Sequence, residues 1–167
     1  GVDPSRNTET LAQITVEVVN QRWAGVPVTL RSGKALGDAV KQIVINFKEP
    51  RHVPYGLKGV DPKDQLIINL SPDTMELRLT TNGVKDPFEL EQSVFTASLG
   101  EAHLAAYGEV LLAVLQGESL LSVRGDAAEA CWRIADKVLA AWRAGDVPIE
   151  DYEAGLPVPA SWEFKLN

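Results

Sequence analysis

Leu11-Ala12-Gln13-Ile14-Thr15-Val16-Glu17-Val18-Val19 alternates with a period of two: Ala12, Ile14, Val16 and Val18 fall on one side, and Gln13, Thr15 and Glu17 on the other. A helix would gather apolar residues every three or four positions, so this stretch reads as a half-buried strand. The same period recurs downstream. Pro27–Arg31 reads as a second short strand. Lys41–Lys48 sets Ile43, Ile45 and Phe47 on one face; Gln65–Ser71 does the same with Leu66, Ile68 and Leu70, and Met75–Thr81 with Met75, Leu77 and Leu79. Asn82-Gly83 is a turn signal, and Phe88–Ala97 is expected to add a strand of weaker alternation. Asn20–Gly25, holding Trp23, reads as a turn and Gly33–Asp38 as a loop. Glu49–Asp64, with three prolines and two glycines, reads as a long irregular connection.

Past residue 98 the period changes. Glu101–Gln116 carries Leu104, Tyr107, Leu111 and Leu115 at helical spacing, with Gly117 as its stop. Asp126–Arg143 carries Cys131, Ile134, Ala135, Val138 and Trp142 on one stripe. Asp126 and Glu129 resemble a capping box, and Gly145 and Pro148 end the segment. Trp23, Trp132, Trp142 and Tyr107 are expected to serve packing, Cys131 to be a small buried hydrophobe, and Arg124 and Asp126 to make capping and ion-pair contacts. The tail from Ala154 is expected to pack in extended form through Trp162 and Phe164. Strands first and helices after predict an α+β class: a large, mostly antiparallel sheet with helices packed on one face. Val44 and Ile67 make the outer sides of their strands partly apolar, a sign of a sheet-mediated contact.

Composition narrows the function. The 167 residues hold 16 Lys plus Arg against 23 Asp plus Glu, a net charge of -7, with 45% hydrophobic residues. That charge disfavours nonspecific binding to nucleic acid or to an anionic membrane. No apolar run approaches the ~20 residues of a membrane span. Cys131 is the lone cysteine, so no internal disulfide forms, and a cytoplasmic setting is expected. Residues 1–9 read as a linker, or as the start of a piece cut from a longer chain; 10–167 read as the domain.

No G-x-G-x-x-G turn, Walker loop, metal-ligand cluster or Ser-His-Asp arrangement is present. His52 falls in the Pro-rich connection and reads as an exposed loop residue; His103 reads as a surface residue opening a helix. The chain is thus expected to hold no metal and no complete catalytic set. One feature invites a ligand. Arg31, Lys34 and Lys41 bracket a Gly33/Gly37 loop, where glycine permits close backbone approach and cations suit a phosphate. The plainer alternative is a basic surface loop, its charge diluted by Asp38.

Asn20-Gln21-Arg22-Trp23-Ala24-Gly25-Val26-Pro27-Val28-Thr29-Leu30-Arg31-Ser32-Gly33-Lys34 resembles the N-x-R-W-x-G-V-P-F-x-L-R-x-G-K pattern of the glucose-6-phosphate dehydrogenases. Further segments are similar in the same order: Ile43–Lys48, Gln65–Asp73, Ala106-Tyr107 with Leu111-Leu112 and Gly117, and Val123–Asp126 with Ala130–Ile134. The resemblance runs from about residue 8 to residue 145. It implies the carboxy-terminal, substrate-binding and dimerisation domain of an enzyme that oxidises glucose 6-phosphate to 6-phosphogluconolactone in the pentose phosphate pathway. It further implies that NADP or NAD and the catalytic histidine belong to an amino-terminal domain missing here, that the fragment alone is inactive, and that the protein forms a homodimer through its sheet.

Carried over residue by residue, Lys34 matches the family's sugar-phosphate lysine. Arg31 matches an arginine that shapes the loop or meets an anion. The second basic position falls at Ala39, with Lys41 a weak substitute nearby. The substrate-contacting Gln falls at Ser71, and the Arg two positions earlier at Asn69. Those departures leave an alternative open: a diverged, non-catalytic paralogue acting as a dimerisation or regulatory partner.

Overall fold

The computed structural model describes residues 3–6, 8–59, 63–100 and 104–162. His103 and Phe164 lie outside the described residues. Among the described residues, six strands and two helices follow one another as β1 (Leu11–Glu17), β2 (Pro27–Gly33), β3 (Gln42–Asn46), β4 (Gln65–Leu70), β5 (Asp73–Asn82), β6 (Leu90–Ser98), α1 (Ala106–Leu115) and α2 (Gly125–Ala144). The class is α+β, and every strand pair is antiparallel. The strands are divided between two ladders, β1-β2 and β3-β4-β5-β6. The chain falls into two units: residues 1–39 with 119–167, and residues 40–118.

In the first unit, β1 and β2 pair from Leu11↔Gly33 to Glu17↔Pro27. The turn between them is made by Asn20, whose Oδ1 accepts the backbone N–H groups of Arg22 (3.0 Å) and Trp23 (2.8 Å). Glu17 Oε1 then takes the Gly25 N–H at 2.8 Å. Register places Gln13 opposite Arg31 and Thr15 opposite Thr29, whose hydroxyls lie 2.8 Å apart. Ala12, Ile14 and Leu30 turn the other way, and line a cleft of about 280 Å³ with Ala135, Val138 and Trp142 of α2. The α2 residues recur at three- and four-residue intervals, so the helix turns one stripe to that ladder.

Several expectations change here. Cys131 is exposed. Trp132 is 64% exposed, and Ile134 is likewise exposed, because the inward stripe runs through Ala135, Val138 and Trp142. Trp23, in its turn, is half-exposed and anchors no core. The capping box is absent: the N-cap is Arg124 with no side-chain cap, and Asp126 sits inside the first turn. Its carboxylate instead receives the Arg124 guanidinium (2.7 and 3.1 Å) and the Ala127 N–H (2.9 Å). The helix ends as its glycine implies: Gly145 takes φ 76°, and the Gly145 and Asp146 N–H groups donate to Trp142 and Ala141. Pro4–Arg6 forms a single 3₁₀ turn, in which Ser5 donates twice to Asp3 and holds that carboxyl below the usual carboxylate range.

In the second unit, β4 and β5 meet at Leu70↔Asp73 across a tight turn at Ser71-Pro72. Asn82-Gly83 does not make a two-residue hairpin. β6 begins only at Leu90, and the intervening loop is closed by Asp86, which takes the Phe88 N–H on its carboxylate and the Glu89 N–H on its carbonyl. One face of the ladder carries Ile43, Ile45, Leu66, Ile68, Met75, Leu77 and Phe95; the other carries Val44 and Ile67 among polar neighbours, including the Glu76–Arg78 ion pair. Helix α1 is shorter than its periodicity implies. It stops at Gly117 (φ 74°), with Glu118 N–H returning to Ala113 O. Tyr107 stands clear of packing at 92% exposed. No large apolar residue among the described residues is fully buried.

Candidate functional site

The backbone of residues 33–37 leaves β2 and is fixed on two sides. The Lys34 N–H donates to Thr10 O at 2.8 Å, continuing the β1-β2 pairing by one bond. From the far end of the chain, the Tyr152 hydroxyl donates to Lys34 O at 2.9 Å. The Gly155 N–H donates to Ala35 O at 2.8 Å, and the Gly37 N–H donates to Leu156 O at 2.9 Å. Ala35 adopts φ 51°, the left-handed region that a side chain disfavours. A Cβ at Gly37 would meet Gly155 O at 2.7 Å. The close approach that glycine permits here is therefore to the chain's own carboxy-terminal segment. Lys34 is exposed, and its amine makes no hydrogen bond or ion pair among the described residues.

Arg31 differs. It is half-buried, its Nε donates to Gln13 Oε1 at 2.7 Å, and its guanidinium also donates to Trp162 O. Its planar fork joins both strands to the Ala160–Trp162 turn, which fits shaping the loop. Lys41 and Ser71 form a second local group, in the other unit. The Leu70 N–H donates to Lys41 O at 2.8 Å, so the two positions adjoin at one end of the β3-β4 ladder, both exposed. Asn69 lies beside them, half-buried, and donates from Nδ2 to Thr74 Oγ1 at 3.0 Å. His52 is exposed in its loop. Sequence reasoning missed Gln13 and Tyr152. Gln13 was legible as the cross-strand neighbour of Arg31 once the register is known; Tyr152, more than 100 residues from its partners, carries no local signal.

An unengaged ammonium on a pinned turn can hold an anionic oxygen as a point charge. Among the described residues no group of His, Cys, Asp and Glu is placed to hold a metal. No helix among them is long and apolar enough to cross a membrane. Neither helix starts from a strand–glycine turn, so these residues do not fit a dinucleotide.

Fold and loop together define an α+β domain with an exposed lysine on a turn held by backbone hydrogen bonds. The family described as glucose-6-phosphate dehydrogenase, C-terminal domain, matches residues 1–166, and the chain belongs to that family. Glucose-6-phosphate 1-dehydrogenase of Mycolicibacterium smegmatis (strain ATCC 700084 / mc(2)155) is 34% identical over 165 residues, covering 94% of this chain and 33% of the relative. The Rhizobium meliloti (strain 1021) protein of the same name is 36% identical over 163 residues, covering 92% and 33%. The crystal structure of glucose-6-phosphate 1-dehydrogenase from Mycobacterium avium superposes with a TM-score of 0.75 at 27% identity, over 96% of this chain and 34% of that one. A glucose-6-phosphate dehydrogenase in complex with its substrate glucose-6-phosphate gives 0.72 at 25% identity, over 90% and 32%. The chain spans about a third of the length of the relatives it matches.

Proposed function

We propose that this chain, from residue 10 onward, is the sugar-phosphate-binding half of a glucose 6-phosphate dehydrogenase, and that Lys34 supplies a cation to the bound substrate. The observation that carries this is the combination of a fixed backbone and an unengaged amine: Lys34 is held through both its N–H and its C=O, while its side chain is exposed. A pre-ordered donor gives up little entropy on meeting its ligand. In this reading the whole protein oxidises the C1 hydroxyl of glucose 6-phosphate to the lactone with NADP or NAD. No step of that oxidation falls to residues of this chain. Arg31 keeps the strand end in register, and Lys41 and Ser71 form a lesser polar pair. The whole protein works as a homodimer joined through the sheet.

The test is steady-state kinetics of the whole protein, followed by reduced nicotinamide formation. Lys34→Gln is expected to raise KM for glucose 6-phosphate by about one to two decades, the effect of one charged hydrogen bond. An unchanged KM would sink the assignment.

A second reading, a non-catalytic paralogue that pairs with an active dehydrogenase, is favoured by the substitutions. Ala39 offers no charge, Ser71 is short, and the Asn69 amide is already satisfied by Thr74. Purified whole protein with no turnover on any sugar phosphate, yet forming a mixed dimer with an active enzyme, would establish that reading in place of the first.

A further inference from the structure

We infer that Tyr152 is a positioning residue for sugar-phosphate binding, acting through the backbone of Lys34; this rests on the reading of Lys34 given above. The tyrosine lies in the segment after α2, and its side chain is half-buried. Its hydroxyl oxygen stands 2.9 Å from Lys34 O and 3.2 Å from Thr10 O. One phenolic proton is thus shared between two carbonyls, and Thr10 O is the same acceptor that receives the Lys34 N–H. The phenol therefore ties together the two strand ends at the point where the loop departs.

The next residues of the same segment repeat the grip. The Gly155 N–H reaches Ala35 O, and Leu156 O receives the Gly37 N–H. Three backbone groups of the loop, Lys34 O, Ala35 O and the Gly37 N–H, are thereby held from the carboxy-terminal side. Ala35, immediately after the lysine, sits at φ 51°. A backbone in that region persists where its surroundings over-determine it. Released from the segment, Ala35 would relax toward negative φ and swing the preceding lysine away from its place. Tyr152 touches no ligand in this scheme. Its contribution is to keep the amine where the phosphate arrives, which alters binding and leaves the chemical step alone.

The experiment uses the whole protein with glucose 6-phosphate as the probe, and four forms: parent, Tyr152→Phe, Lys34→Gln and the double variant. Phenylalanine keeps the ring and removes only the hydroxyl. Tyr152→Phe is expected to raise KM by about three- to tenfold, the effect of one neutral hydrogen bond, with kcat within about twofold. In the Lys34→Gln background the same change is expected to add nothing, since it acts through that lysine. If Lys34→Gln raises KM but Tyr152→Phe does not, the positioning role is overturned while the lysine's stands. If Tyr152→Phe raises KM equally in both backgrounds, it acts elsewhere and the inference fails. If Lys34→Gln leaves KM unchanged, the lysine assignment falls, and this inference with it. Hydrogen exchange gives a readout independent of turnover. The Lys34 and Gly37 amides should exchange faster in Tyr152→Phe, with β3–β6 unchanged; unaltered exchange at those two amides also overturns the role.

Discussion

At the residue scale, Gly37 and Ala35 make a matched pair of opposite sign. Gly37 lies where a Cβ would press on Gly155 O at 2.7 Å, and its N–H must still reach Leu156 O. A backbone oxygen cannot rotate away as a side chain does, so Gly37→Ala forces the two segments apart. The expected loss is about 1–3 kcal/mol in urea unfolding of the whole protein, together with a raised KM for sugar phosphate. Ala35→Gly removes a left-handed penalty of about 1–2 kcal/mol but loosens the unfolded chain by about 0.4–1 kcal/mol. The net expectation is a stabilisation of about 0 to 1.6 kcal/mol, with KM not lowered by it. Stability and binding then fall together at Gly37 and part company at Ala35, as they should if loop placement, and not loop stability, governs the lysine. From sequence alone the Gly33/Gly37 loop was legible as a place of close approach. What approaches was not, because the approaching segment lies over a hundred residues away and its hydrogen bonds use backbone groups common to every residue type.

At the element scale, periodicity located the six strands and two helices of the described residues, since a half-buried strand and a striped helix write their burial into the order of the side chains. It failed where burial did not follow. Cys131 and Trp132 were assigned to packing, yet the inward stripe of α2 is rotated toward Ala135, Val138 and Trp142, and one apolar residue more or less at its margin shifts the apparent stripe by a third of a turn. Helix ends separate strong signals from weak ones. Gly145 closes α2 in the left-handed region with two returning N–H groups, so Gly145→Ala is expected to cost about 1 kcal/mol in thermal unfolding. Arg124 pairs with Asp126 at the other end, but both side chains are mostly exposed. Arg124→Ala should therefore cost no more than a few tenths of a kcal/mol. Equal costs at the two ends would mean that the ion pair is far less solvated than its exposure implies.

At the scale of the whole molecule, the unusual feature is how little is buried. On the apolar face of β3–β6, Ile43 remains 50% and Phe95 57% exposed, and on α1 Leu115 remains 77% exposed. Fully burying one such side chain contributes about 1.5–3 kcal/mol, so a few of them left half in water amount to a substantial share of the 5–15 kcal/mol that holds a typical domain together. In the function proposed above, such surfaces serve as faces to be covered by the rest of the protein or by a second copy. The isolated 167 residues should therefore self-associate: sedimentation at micromolar concentration is expected to give a mass above 18.1 kDa, rising with concentration. Phe95→Lys, which places a charge on the apolar face while leaving the β5-β6 register to eight other residue pairs, should shift that distribution toward the monomer. A chain that sediments as a monomer at every concentration, with its apolar residues protected from a hydrophobic dye, would mean that these faces are already covered from within. The sheet would then have no surface left to offer a partner.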